Sequence, residues 1–208
     1  NLQNALVWVE SFISEQLKAM QSREVSLAEM IDLGWITSHL DGNHGSNYPK
    51  KSEFIEAGVP YISANCIVDG EIDVRLAKYL SPERADTLLK GTAKNRDVIF
   101  AHNATVGPVS VLETDEPRIL LGTSLTHYRC NPDFIDPYFL CYEMRGAAFV
   151  AQYREVMGQA TRNQVPITIQ RTFKHLIPDL DSQSAVARTA QEVERSTRGL
   201  TNDYRAKL

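Results

Sequence analysis

The sequence predicts an α+β fold: a globular domain of short mixed and antiparallel strands, flanked by long helices at its N- and C-terminal ends. Three observations lead there. Apolar residues recur four and three apart at both ends of the chain, Val- and Ile-rich runs broken by Gly and Pro fill the middle, and two strongly polar stretches interrupt those runs. At 208 residues the chain can bury one sizeable core, or a domain of roughly 150 residues with appendages.

Residues 1–22 read as a helix whose seam is Leu2, Leu6, Val9, Ile13, Gln16 and Met20. Trp8, Phe12 and Leu17 widen its apolar face, so it is expected to pack against more than one neighbour. Ser26-Leu27-Ala28-Glu29 is a capping-box signature opening a short helix over 28–31. Asp41 to Lys51 holds no aliphatic side chain and reads as a loop. Strand-like runs follow at Val59–Ile62 and Cys66–Val68, then an Asp69-Gly70 turn. Ser81-Pro82 starts a helix expected to run towards Leu89 and stop at Gly91.

Val98–Ala101 and Val109–Leu112 form a predicted hairpin, with Gly107-Pro108 marking the return and His102, Asn103 and Thr105 at its tip. Leu120, Leu121 and Leu125–Cys130 supply further strands, and Asp136-Pro137 opens a helix, with a second segment over 147–157. The last helix follows Pro178-Asp179-Leu180-Asp181. Its seam is Val186, Ala190, Val193, Thr197, Leu200 and Tyr204, with charged flanks. Helical from Ser182, about 26 residues would extend roughly 39 Å. The expected organisation is an N-terminal helical segment (1–31), a globular domain (32–180) and a C-terminal coiled-coil helix (181–208). The end helices are expected to pair with each other or with a second copy.

Composition narrows the function classes. The formal net charge of −4 argues against nucleic-acid binding by bulk attraction, although a local basic face would suffice. No apolar run reaches the roughly 18–20 residues of a membrane span. Cys66, Cys130 and Cys141 are odd in number and far apart, and no close Cys or His pair suggests a metal. They read as reduced core thiols of a cytoplasmic protein. The chain opens on Asn without a leader pattern, so it is expected to be trimmed, or carved from a longer one.

Three polar clusters carry the candidate chemistry. Asn43, His44, Ser46 and Tyr48 are adaptable hydrogen-bonding groups, with Lys50 and Lys51 able to meet phosphate. His102, Asn103 and Thr105 sit at the hairpin tip, and Thr161, Arg162, Asn163 and Gln164 crowd one short stretch. Arg pairs with guanine edges, and Asn and Gln with adenine edges. Each cluster also has a plainer account: turn residues satisfying their own backbone, a connecting loop, or a solvated helix exit at Gly158.

Taken together, the motifs resemble one target-recognition domain of Type I restriction–modification specificity subunits. The resemblance rests on Asp41-Gly42-Asn43-His44-Gly45 with Tyr48-Pro49, on Gly58-Val59-Pro60-Tyr61-Ile62-Ser63, and on Asp97-Val98-Ile99-Phe100-Ala101 with Ala104-Thr105-Val106-Gly107. Pro178-Asp179-Leu180-Asp181-Ser182-Gln183 is similar to that family's Pro-Pro-Leu-x-Glu-Gln helix start, with Asp179 replacing the second Pro and Ser182 the Glu. It covers about residues 34–208. It implies a non-catalytic reader of one half of a split DNA target, with no cofactor of its own. S-adenosylmethionine would belong to partner adenine-N6 methyltransferase (modification) subunits, and a restriction/translocase subunit is a further implied partner. One domain and one helix imply a half-size subunit or a fragment; a half-size form would pair as a homodimer on a palindromic target.

Two rival classes remain. Asn131-Pro132-Asp133-Phe134 and Asp136-Pro137-Tyr138-Phe139 resemble the Asn/Asp-Pro-Pro-aromatic motif of amino-methyltransferases, but lack its second proline and any upstream glycine-rich cofactor loop. A hydrolytic Ser124–His127 pair would face opposite sides of a strand. A helical scaffold without DNA readout is the second rival, and it gives no reason for the polar clusters.

Overall fold

The computed structural model describes residues 2–88 and 90–205, the side chains of 2–6, 46 and 199–205 excepted. The chain runs α1 (Leu2–Ala19), β1 (Arg23–Ser26), α2 (Leu27–Asp32), β2 (Ile36–Asp41), β3 (Phe54–Ile55) and β4 (Val59–Ile62). A small hairpin, β5 (Ile67–Val68) and β6 (Glu71–Ile72), leads to β7 (Lys78–Leu80), α3 (Pro82–Asp86) and β8 (Thr92–Ala93). Next come β9 (Val98–Asn103), β10 (Thr105–Val111), β11 (Ile119–Leu121) and β12 (Leu125–Cys130). The chain closes with α4 (Pro137–Arg145), α5 (Ala147–Gln159), α6 (Ile167–Gln170), β13 (Lys174–Ile177) and α7 (Leu180–Arg205). The fold is α+β, as the sequence predicts.

Two sheets stack beneath a helical layer. An antiparallel sheet of order β10-β9-β12-β2 lies beside a mixed sheet of order β3-β7-β4-β11-β8, in which β4 and β11 run parallel. β9 explains the layering. Its residues alternate sides, yet Val98–Ala101 are all buried. Val98 and Phe100 join the core formed with the helices, whereas Ile99 and Ala101 join Ile62, Ala93, Ile119 and Leu121 of the mixed sheet. A strand covered on both faces has no polar alternation.

The helical core contains Val9, Ile13 and Leu17 of α1, Phe139, Leu140 and Met144 of α4, Phe149 of α5, and Val186, Ala187 and Ala190 of α7. β1 pairs antiparallel with β13, Arg23 opposite Ile177. The C-terminal end of α1 therefore meets the N-terminal end of α7, and the two helices pack side by side in opposite directions. This settles where the first part of the predicted seam goes. Val186 and Ala190 are consumed inside the chain, and Val193 packs at the edge of the same core. The Leu200 and Tyr204 side chains lie outside the described residues, as do those of Leu2 and Leu6.

The start of α7 shows how the altered motif works. Asp179 caps the helix, accepting from Ser182 N and from Ser182 Oγ, so Asp and Ser compensate one another. Buried Gln183 donates to the Phe134 and Pro178 carbonyls and accepts from Asp136 N. Further along, Glu194 accepts from Arg145 at 2.6 Å and from Tyr142, while Arg198 reaches the Asp69 carbonyl in the β5–β6 turn. The long helix is thus joined to the sheet domain at two separate places.

Three predicted elements differ. The helix expected towards Leu89 ends at Asp86, and Leu89 lies outside the described residues. The first helix stops at Ala19, because Arg23–Ser26 is claimed by β13. Gly107-Pro108 does not turn the hairpin; it forms a bulge within β10, between Val106 and Val109. Gly107 suits that bulge because its φ of 121° is one that residues with a side chain rarely adopt. The reversal falls instead at Ala104.

His39 and His127 are buried, and desolvation drives their pKa values down to about 3 and about 4 from 6.5. Between those values and pH 6.5 both are neutral in the fold and protonate on unfolding. Stability should be flat above pH 6.5 and fall below it, by up to about 1.4 kcal/mol per pH unit for each histidine. The loss from His127 levels off near pH 4 and that from His39 near pH 3. Urea midpoints measured from pH 7.5 to 4 should show this, with a shallower fall in His127→Gln; identical slopes would remove His127 as a cause.

Candidate nucleic-acid interface

The first polar loop leaves β2 at Asp41 and is pinned at once. Gly42 lies against Gly122: a Cβ there would come within 2.4 Å of the Gly122 backbone. Asn43 is buried, and its carboxamide donates to the Lys90 carbonyl at 2.6 Å and accepts from Lys90 N at 3.3 Å. That corrects its expected role as a free reading group, because both ends of the side chain are occupied. His44 is exposed and sits 2.7 Å from Asp41 Oδ2. Gly45–Asn47 and Lys51–Glu53 form single 3-10 turns, and Arg84 ties them down through Glu53 and the Asn47 carbonyl. Tyr48, Lys50 and Lys51 remain exposed. The Ser46 side chain lies outside the described residues.

The second and third clusters, 59 positions apart in sequence, are built together. The N–H of Val165 donates to the His102 carbonyl, His102 Nδ1 meets the Val165 carbonyl at 3.0 Å, and Ala104 N donates to the Asn163 carbonyl at 2.9 Å. Asn103 and Gln164 form an antiparallel bridge. The 161–165 segment therefore lies along the hairpin tip as a short added strand. His102 is 5 % exposed, so its expected place at a solvent tip is also corrected: it is a tether. Burial lowers its pKa, with Asp41 and His44 near enough to act on its charge. Its N–H donates to the Ser124 carbonyl, which links the tip to the Gly122 turn and so to the first loop.

Gln170 holds this assembly from below and is fully buried. Its Nε2 donates to Thr126 Oγ1 and the Val165 carbonyl; its Oε1 accepts from the Tyr128 hydroxyl and from His39 Nε2. Two donors and two acceptors are all that a carboxamide has. The surface this leaves outward includes Ala104, Thr105, Thr161, Arg162 and Asn163, with Asn103 and Gln164 half-buried. Among the described residues Arg162 has no side-chain partner. Lys90 adds an exposed cation beside Asn43. Sequence reasoning missed both Lys90 and Gln170; the amphipathic spacing of neither hinted at a site.

Among the described residues, the side chains of the rival readings have other partners. His127 Nε2 pairs with Ser38 at 2.8 Å, while Ser124 Oγ accepts from Ala64 N. Asn131 accepts from Asp133 N and donates to the Gly34 carbonyl, the work of a turn. Among the described residues no group of three His, Cys, Asp or Glu side chains is placed to hold a metal. The three cysteines are unbridged, and burial raises each thiol's pKa.

No family model matches the chain. It is 26% identical over 143 residues to a putative type I restriction enzyme MjaX specificity subunit of Methanocaldococcus jannaschii, covering 66% of this chain and 33% of that protein. Among solved structures it is similar to a chain of a type I R-M system (TM-score 0.66, 16% identity, 99% of this chain and 49% of that one). It also resembles the HsdS subunit of Thermoanaerobacter tengcongensis (0.63, 16%, 97% and 47%). The S subunit of M. genitalium is a third (0.64, 13%, 99% and 52%). The chain spans about half the length of these structures and a third of the curated relative.

Replacing Gln170 with Met keeps the volume and strands the Tyr128, Thr126 and His39 groups without partners. The expected cost is about 2 kcal/mol or more, read as a lower urea midpoint, with faster amide exchange over 161–165. Unchanged exchange in that segment would show that Gln170 does not hold it.

Proposed function

From the premise that this chain has the fold of type I restriction–modification specificity subunits, we propose that it is a non-catalytic unit that reads one half of a split double-stranded DNA target. The observation that carries this is the union of the hairpin tip with the 161–165 segment, held by buried tethers while Arg162 and Asn163 face outward. Residues 32–180 would be the reading unit, with 1–31 and 181–208 forming the rod. Base edges would be met by Asn103, Thr105, Thr161, Arg162, Asn163 and Gln164. His44, Ser46 and Tyr48 would extend that face, and Lys50, Lys51 and Lys90 would meet phosphates. Asn43 and His102 would act by positioning these groups.

Methyl transfer would belong to adenine-N6 methyltransferase subunits carrying S-adenosylmethionine, and DNA cleavage to a restriction/translocase subunit. The 26-residue α7 is about 39 Å long, close to one turn of DNA. Such a rod would set the distance between half-sites, the second supplied by another copy or by a further length of chain. The distal seam, with Leu200 and Tyr204, would serve that pairing.

Two substitutions test the division of labour. Arg162→Ala should relax sequence choice in a selection from random duplexes, costing about 1–3 kcal/mol of discrimination at one position. An unchanged selected sequence would exclude Arg162 from base reading. Lys50→Ala with Lys51→Ala should weaken binding to every duplex and flatten the slope of log K against log salt by about 2; an unaltered slope would take both lysines off the phosphate path.

A further inference from the structure

Resting on the reading that these loops meet DNA, we propose that Ala104 is a specificity-determining residue that recognises the 5-methyl group of thymine. Ala104 is the apex of the β9–β10 hairpin, exposed, with φ of 63°. Glycine adopts that left-handed conformation freely, and an L side chain is strained in it. Four positions follow the rule: Gly34, Gly45, Gly70 and Gly91 occupy φ values of 64–79°.

Besides Ala104, two non-glycine residues among those described have positive φ, and each has a local reason. Asp69 (φ 51°) shares a hairpin turn with Gly70, and Asp tolerates this conformation. Arg96 (φ 69°) lays its guanidinium over Tyr138, 5.4 Å from the ring centroid. Ala104 has no such intramolecular use for its side chain. Its N–H goes to the Asn163 carbonyl, and its carbonyl accepts from Asn163 Nδ2 at 3.5 Å. What the apex presents is a methyl group, on a backbone clamped to the segment that carries Arg162 and Asn163.

An exposed methyl that glycine would spare the fold, fixed among base-reading polar groups, suits one partner in the major groove. Thymine is the base that offers an apolar methyl there, and alanine is among the side chains that contact it. The neighbouring Thr105 is exposed and also carries a methyl, so the test separates the two.

The wild-type chain is used to select a duplex from a random pool, and each thymidine of the selected site is then replaced singly by deoxyuridine, which lacks only the methyl. The wild type should lose about fourfold in affinity at one position, the value of one buried methyl-sized group. Ala104→Gly, expected to fold at least as well, should bind the thymidine and deoxyuridine duplexes equally at that position, while Thr105→Ser keeps the preference. The proposal is overturned if Ala104→Gly retains the wild-type ratio, if Thr105→Ser abolishes it, or if the wild type is indifferent at every thymine. Failure of the wild type to select any sequence overturns the underlying DNA reading as well, and is distinguished by appearing before any variant is made.

Discussion

The site depends on one buried carboxamide. Gln170 joins β2 through His39, β12 through Thr126 and Tyr128, and the 161–165 segment through the Val165 carbonyl. The Gln170 carboxamide has every donor and acceptor occupied, so displacing it leaves desolvated polar groups unpaired. The ties continue outward. Val165 is tied to His102 in both directions, and Asn163 to Ala104. Exposed side chains therefore stand on a braced backbone, as the proposed discrimination between similar base edges would require.

A second constraint couples the sheet domain to the end helices. The end helices share one core with α4 and α5, and the Arg145–Glu194 pair with the Arg198–Asp69 contact adds a link at the small hairpin. Both the Arg145 and Glu194 side chains are nearly buried, so the pair resists rearrangement more than a surface ion pair would. These contacts brace the sheet domain against α7.

Much of the fold was legible because it rests on local chemistry. The Ser26–Glu29 capping box and the Asp136-Pro137 helix start each follow from a few adjacent residues. What was hidden depends on partners distant in sequence. Gly107-Pro108 reads as a turn until the register with β9 places the reversal at Ala104 and leaves the pair in a bulge. Asn43 and His102 have the residue types of reading groups, but Lys90 and Val165 occupy them. The three polar clusters were visible as compositions; their convergence was not, since it runs through Ser124, Gly122 and a bridge between Asn103 and Gln164. Gln170 gave no signal, because one Gln in a four-residue helix looks like any solvated residue.

The central claim, that these converging loops form the DNA-facing surface, is tested most directly by hydrogen–deuterium exchange of the full chain with and without saturating duplex. Protection at 44–51, 103–105 and 161–164, with α1 and α7 unchanged, is the expected result. Protection confined to the end helices, with those loops exchanging as in the free chain, would contradict it.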